Sequence, residues 1–218
     1  AAGECSWTYH GANRLGANSL LSASVDGWFT LPFTVPNYLA DHLGEEKLAE
    51  DSREAQDVVA AVTDRIERIM SINGPDPHGP EYFHEKLGDI LYEHCGVSRT
   101  VEGLEEGIKK IRALRDDFWT NINIPGSPND MNQTLEAALR LVDYINLGEL
   151  MCVDALDRDE SCGAHYRMDH LTDDGEAERD DDNWCFVSAW EPAGDGQFIR
   201  HAEPLYFDSI PLMARNYK

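Results

Sequence analysis

The sequence predicts a mainly α protein: an antiparallel helical bundle with a short stub before it and a small mixed module after it. Three observations carry this. Apolar residues recur at three- and four-residue spacing through the middle of the chain. The segments between those runs are short and hold Gly, Pro, Asn and Ser, as helix–helix connections do. After Glu160 the pattern changes to an acidic run and then to two stretches rich in aromatic and β-branched residues.

Taken in order, residues 1–5 (AAGEC) lead into a Gly/Asn-rich turn. From about Ala12 to Thr30 the spacing of Leu15, Leu20, Leu21 and Val25 predicts a helix. Pro32 and Pro36 punctuate, and VPNYLADHLG makes a short helix stopped by Gly44. Asp51 or Ser52 can cap the clearest helix, whose stripe is Ala55, Val58, Val59, Val62, Ile66, Ile69 and Met70. Asn73-Gly74-Pro75 ends it, and a further helix fits 80–94, stopped by Gly96. Thr100 is the expected N-cap of the next, with Gly103 where a capping box would carry Glu or Gln. Its stripe is Leu104, Ile108, Ile111, Leu114 and Phe118, and a long helix follows from about Met131 to Leu156. WCFVSAW and QFIRHAEPLYFD read as strands joined through Gly194 and Gly196. The expected organisation is a stub over 1–45, the bundle over 46–157 and the C-terminal module over 158–218.

A chain of 218 residues, 42% of them hydrophobic, can bury an ordinary core. Its net charge of −23 argues against nucleic acid or an anionic membrane surface as direct partner. The same field repels anionic substrates, so one of those would need a local cation; Arg14 is a candidate. Five cysteines (Cys5, Cys95, Cys152, Cys162 and Cys185) are an odd number without a CxxC pair. That points away from a zinc ribbon or a disulfide framework and toward a reducing compartment. No apolar run reaches membrane-spanning length, and the start lacks the basic residues of a signal peptide.

The stretch HGANRLGANSL (10–20) has the residues of a ligand-binding turn. Its glycines let backbone amides approach a ligand, and a helix N-terminus offers free N–H groups and partial positive charge. Arg14 adds a planar fork suited to a carboxylate. The residues alone leave this open against a simpler reading, a Gly-containing helix start with a surface arginine. In DESCGAHYR, Cys162 and His165 lack further ligands or a catalytic partner at useful spacing, so a post-helix turn is expected. His78, His84 and His94 show no i, i+4 pairing. The run 173–182 lacks the ligand spacing of a calcium loop and reads as solvated.

Taken together, GEC…HGANRLGANSL, DGWFTLP, FHEKLGDILYEHCG, LGELMCVDALDRDESCGAHYR and a terminal NYK resemble the flavoprotein subunits of succinate dehydrogenase and fumarate reductase, along essentially the whole chain. The resemblance implies that residues 1–45 are the closing part of an α/β FAD-binding domain. It implies that Glu4 holds the FAD ribose, that Ser19 and Leu20 lie at a helix start beside the isoalloxazine ring, and that Arg14 grips a carboxylate of succinate or fumarate. The implied partners are an iron–sulfur subunit and a membrane-anchor subunit, with the protein peripheral on the inner face of the cytoplasmic membrane. The family's dinucleotide fingerprint, flavin-attaching histidine and acid–base arginine would lie upstream of Ala1, so no catalytic residue is expected here. The chain is therefore read as a C-terminal fragment, inactive and weak in FAD binding by itself, and able to self-associate through residues 12–30. Two rivals stay open: a relative of the L-aspartate oxidase or adenylylsulfate reductase type, and a non-catalytic helical docking module.

Overall fold

The computed structural model describes residues 1–6, 10, 12–194, 196–209 and 211–213. Gly11 of the HGANRLG motif and the terminal Asn216, Tyr217 and Lys218 lie outside the described residues. The chain divides into two compact units, Ala1–Glu67 and Arg68–Lys218.

In the first unit a 3₁₀ turn over Gly3–Ser6 precedes helix α1, Asn18–Val25. A π-helical turn over Asp26–Thr30 leads directly into α2, Leu31–Leu39. Two expectations are corrected here. The helix starts at Asn18 rather than near Ala12, because Ala17 is left-handed, with φ 68, and a left-handed residue cannot carry a right-handed ladder. The prolines do not break the path either. Pro32 falls in the first turn of α2, just past the widened π turn, where a missing N–H is tolerated. Pro36 lies inside α2 and leaves the Pro32 carbonyl without its usual helical donor.

Helix α3, Arg53–Met70, passes from the first unit into the second. Ser52 caps it, accepting from the Ala55 N–H at 3.2 Å. Its periodic stripe is real but mostly uncovered: Val58, Val59 and Val62 are exposed, and Ile69 alone of the stripe is buried. Periodicity identified the helix without showing what lies against it.

The second unit is built on α4 (Pro80–His94), α5 (Val101–Asn121) and α6 (Gln133–Asp157). Phe83 at the start of α4 meets Phe118 at the end of α5, edge to face at 5.4 Å. An added Cβ on Gly107, near the start of α5, would touch His94 and Cys152, at the far ends of α4 and α6. So α5 runs antiparallel to both neighbours. Phe83, Leu87, Leu104, Ile111, Leu141 and Ile145 fill the space between them. Thr100 caps α5 as expected, accepting from the Gly103 N–H at 3.0 Å. Asn132 caps α6 through the Leu135 N–H, also at 3.0 Å.

After α6 come a short helix α7 (Asp181–Trp184) and an antiparallel hairpin, β1 (Phe186–Gly194) with β2 (Gln197–Pro204). Gly194 and Gly196 adopt φ 84 and 69, which the turn needs and L side chains resist. Trp184, expected in the strand, belongs to α7 instead: Asp180 caps that turn through the Asn183 N–H at 3.2 Å. The hairpin is tied to α6, with Trp190 Nε1 donating to Asp154 at 2.7 Å and Arg200 pairing with Asp157 at 2.7 Å. Among the described residues no helix is long and apolar enough to cross a membrane.

Candidate functional site

The site in the first unit starts from a glycine. Gly3 has φ 70, and a Cβ there would lie 3.1 Å from the Ala23 Cα of α1. Its N–H donates to the carboxylate of buried Asp26 at 2.5 Å. Asp26 is the one charged residue between Arg14 and Asp41, and this bond explains its presence in apolar sequence. His10 and Ser22 are buried as well, with His10 Nε2 and Ser22 Oγ 3.4 Å apart. The first contact ties the Gly3–Ser6 turn to the π-helical turn at the end of α1, and the second ties His10 to α1 itself.

That support presents Glu4 to Arg14. Arg14 Nε donates to Glu4 Oε1 at 2.9 Å, and both side chains remain partly exposed, 40% and 46%. Ser19 and Leu20 sit in the first turn of α1, Ser19 half-buried and Leu20 exposed. No side chain caps that turn among the described residues. The four residues singled out from sequence therefore fall in one unit, two of them in direct contact. Gly3, Asp26, Ser22 and His10 were missed; the lone acid at 26 was the available signal.

A second polar cluster, in the second unit, is structural. Glu149 is fully buried in α6 and accepts from Arg112 Nε at 2.6 Å and from Arg115. Arg112 also donates to the Gly196 carbonyl at 3.1 Å, so the hairpin turn is held on α5. Arg167 is 1% exposed and donates to both Asp169 carboxylate oxygens, at 2.8 and 2.6 Å. Its Nη1 reaches the carbonyls of Ala155 and Leu156, each at 3.3 Å, satisfying acceptors at the end of α6. Glu160, also buried, accepts from Arg158 at 2.7 Å and from the Asp180 N–H at 3.0 Å.

Cys162 and His165 are absorbed by this cluster, as a post-helix turn requires. Their backbones exchange hydrogen bonds of 2.8 and 3.0 Å. His165 Nε2–H donates to the Arg158 carbonyl at 2.9 Å, leaving Nδ1 to accept from Arg99 at 2.8 Å. Burial first, and Arg99 with the other nearby guanidiniums, hold the ring below the ordinary histidine value. Burial, with Glu160 behind it, pushes the Cys162 thiol up, so it is a poor nucleophile. The acidic run is less free than expected: it folds back through Thr172 N–H to Glu176 O at 2.8 Å and Tyr166 OH to Gly175 O at 3.0 Å. Asp159, Asp169 and His170 converge closely enough to suggest a cation, but Arg167 already pairs with both carboxylates and His170 with Asp159.

The family model described as fumarate reductase flavoprotein C-term matches residues 84–217. The chain belongs to this family. It is 34% identical to the succinate dehydrogenase flavoprotein subunit of Bacillus subtilis over 84% of its own length and 30% of that protein's. It is 32% identical to the fumarate reductase flavoprotein subunit of Escherichia coli, over 100% of this chain and 34% of that one. A solved quinol–fumarate reductase with menaquinol molecules superposes with a TM-score of 0.78 at 28% identity, covering 97% of this chain and 34% of that one. The chain thus spans about a third of the length of the curated relatives it matches. Glu149, Glu160 and Arg167 fall inside the matched flavoprotein region, whereas Glu4, Arg14, Ser19 and Leu20 lie upstream of it.

Proposed function

We propose that this chain is the C-terminal part of a flavoprotein subunit that interconverts succinate and fumarate by hydride exchange with FAD. Electrons would pass to an iron–sulfur subunit and a quinone, with a membrane-anchor subunit holding the assembly peripherally on the inner face of the cytoplasmic membrane. Residues 1–45 close the FAD-binding domain in this reading, 46–157 form its helical domain and 158–218 its C-terminal module. The observation that carries the reading is the Glu4–Arg14 pair beside an uncapped helix start, in a chain of this family.

The residues present suit one edge of a bound flavin nucleotide. Glu4 is a partly exposed carboxylate able to accept from ribose hydroxyls. The first turn of α1, at Ser19 and Leu20, offers partial positive charge with no capping side chain among the described residues. When bound, FAD supplies the hydride acceptor. Arg14 is the local cation that a chain of net charge −23 needs to hold a dicarboxylate. An exposed ion pair is worth only about 0–1 kcal/mol, so a substrate carboxylate can replace Glu4 on Arg14 at small cost. Arg14 would then orient the substrate and restrict its approach.

The test is Arg14→Lys in the full-length flavoprotein. Lysine keeps the charge and loses the two-pronged donor set. The expected loss in kcat/KM for succinate corresponds to roughly 2–4 kcal/mol, the scale of a charged hydrogen-bond pair. Unchanged kcat and KM would show that another residue holds the carboxylate. The chain by itself should bind FAD weakly, which a flavin absorbance titration checks.

A further inference from the structure

Asp26 is an acidic side chain set among apolar residues, only 5% exposed, and the flavoprotein reading gives it no role. It opens the π-helical turn that follows α1, its N–H shared between the Ser22 and Ala23 carbonyls. Turns of this kind are rare and collect at functional sites. Burying an acid away from water is costly unless a specific donor receives it.

The donor belongs to the residue before Glu4. The Gly3 N–H donates to Asp26 Oδ2 at 2.5 Å, and the Gly3 carbonyl accepts from Ser6 Oγ at 2.8 Å. Gly3 also lies close against α1, where a Cβ would stand 3.1 Å from the Ala23 Cα. The peptide units on both sides of Gly3 are therefore fixed, and Glu4 grows from the second of them. Its backbone is placed while its carboxylate stays partly exposed, meeting Arg14 Nε at 2.9 Å. Asp26 thus stands behind the turn and Glu4 in front of it.

We propose that Asp26 is a positioning residue for the cofactor, setting FAD affinity through Gly3 and Glu4 with no contact of its own. This rests on the reading of Glu4 as the carboxylate that holds the FAD ribose. A turn held before the ligand arrives has already lost the freedom that binding would otherwise cost. Without Asp26 the Gly3 N–H loses a charged acceptor, and Glu4 spends time where ribose hydroxyls cannot meet it.

The test uses the full-length flavoprotein prepared without flavin, with reversible FAD binding read from flavin fluorescence. Asp26→Ala should raise the Kd about tenfold, the scale of one lost charged hydrogen bond. Asp26→Asn keeps an uncharged acceptor for Gly3 and should raise it about threefold. Glu4→Ala should weaken FAD by itself, and adding either Asp26 change to it should cost nothing further. A general loosening of the unit would instead add its whole cost to that of Glu4→Ala. An unchanged Kd in Asp26→Ala, or full additivity with Glu4→Ala, overturns the proposal and leaves the role of Glu4 standing. An unchanged Kd in Glu4→Ala overturns that role and the proposal with it. Should Asp26→Ala fail to fold, Asp26→Asn decides by the same comparison.

Discussion

The two units place their apolar residues in opposite ways. In the second, Phe83, Leu104, Ile111 and Phe118 are sealed from solvent, and the buried charged residues Glu149, Glu160 and Arg167 are each held by several partners. In the first, Leu21, Trp28, Phe29 and Phe33 are exposed, while His10, Ser22 and Asp26 are buried. The first unit is therefore organised by polar contacts, such as Gly3 with Asp26, and leaves these apolar residues outside. Exposed apolar residues at this density mark a surface made to be covered. On the proposed function, the remainder of the FAD-binding domain covers it. On that reading the second unit carries its own core, while the first unit draws part of its stability from that cover.

The largest effect that would sharpen this contrast is expected at Arg167. Arg167→Leu removes a 1% exposed guanidinium and leaves the carbonyls of Ala155 and Leu156 without their donor. Asp169, 42% exposed, can rehydrate, so the cost comes mainly from the buried carbonyls and the lost packing. A loss of about 2–4 kcal/mol in denaturant unfolding is expected, the scale of buried acceptors left without a donor. A loss below about 1 kcal/mol would mean that the turn after α6 is held by its backbone alone.

Acid should weaken the second unit by a further route. His165 is held below its ordinary value, so the folded state resists a proton that the unfolded chain accepts near pH ~6.5. Its contribution is complete above that pH and is lost as pH falls through the lower, folded value. His165→Gln keeps a donor for the Arg158 carbonyl and an acceptor for Arg99, but cannot titrate. Melting temperatures measured from neutral pH downward should fall less steeply in this variant. Parallel curves would remove His165 from the explanation. A smaller loss is expected at the cap of α5: Thr100→Ala should cost about 1 kcal/mol by denaturant unfolding, and Thr100→Ser nearly nothing.

What could be read from the sequence follows from how local each signal is. Thr100, Ser52 and the stripe of α5 were legible because capping and 3.6-residue periodicity act within a few residues. The start of α1 was not, because it depends on one left-handed alanine that composition does not announce. Nor was the covering of α3: a stripe shows that a face is apolar, and Val58, Val59 and Val62 are exposed all the same. In the candidate site, Arg14 and Glu4 were reached through their motif, whereas Gly3 and Asp26 act across 23 positions. Such a contact has no local periodicity to reveal it.

The smallest effect is the one that tests the contrast most directly. Trp28 is 76% and Phe29 68% exposed in the first unit. Trp28→Gln with Phe29→Gln should therefore change the unfolding free energy of this chain by no more than about 0.5 kcal/mol, as for other exposed positions. Both residues lie in the π-helical turn, and glutamine is at least as good a helix former, so the backbone gives no reason for a larger loss. The same double change in the full-length flavoprotein should cost several-fold more, because there the two rings are expected to be covered and glutamine would replace buried aromatic surface. Light scattering on this chain adds an independent reading: if the apolar residues of the first unit drive self-association, the double change should shift the population toward monomer. Equal, small effects in both proteins would show that the surface is simply solvent-facing. The distinction drawn between the two units would then be one of composition and not of design.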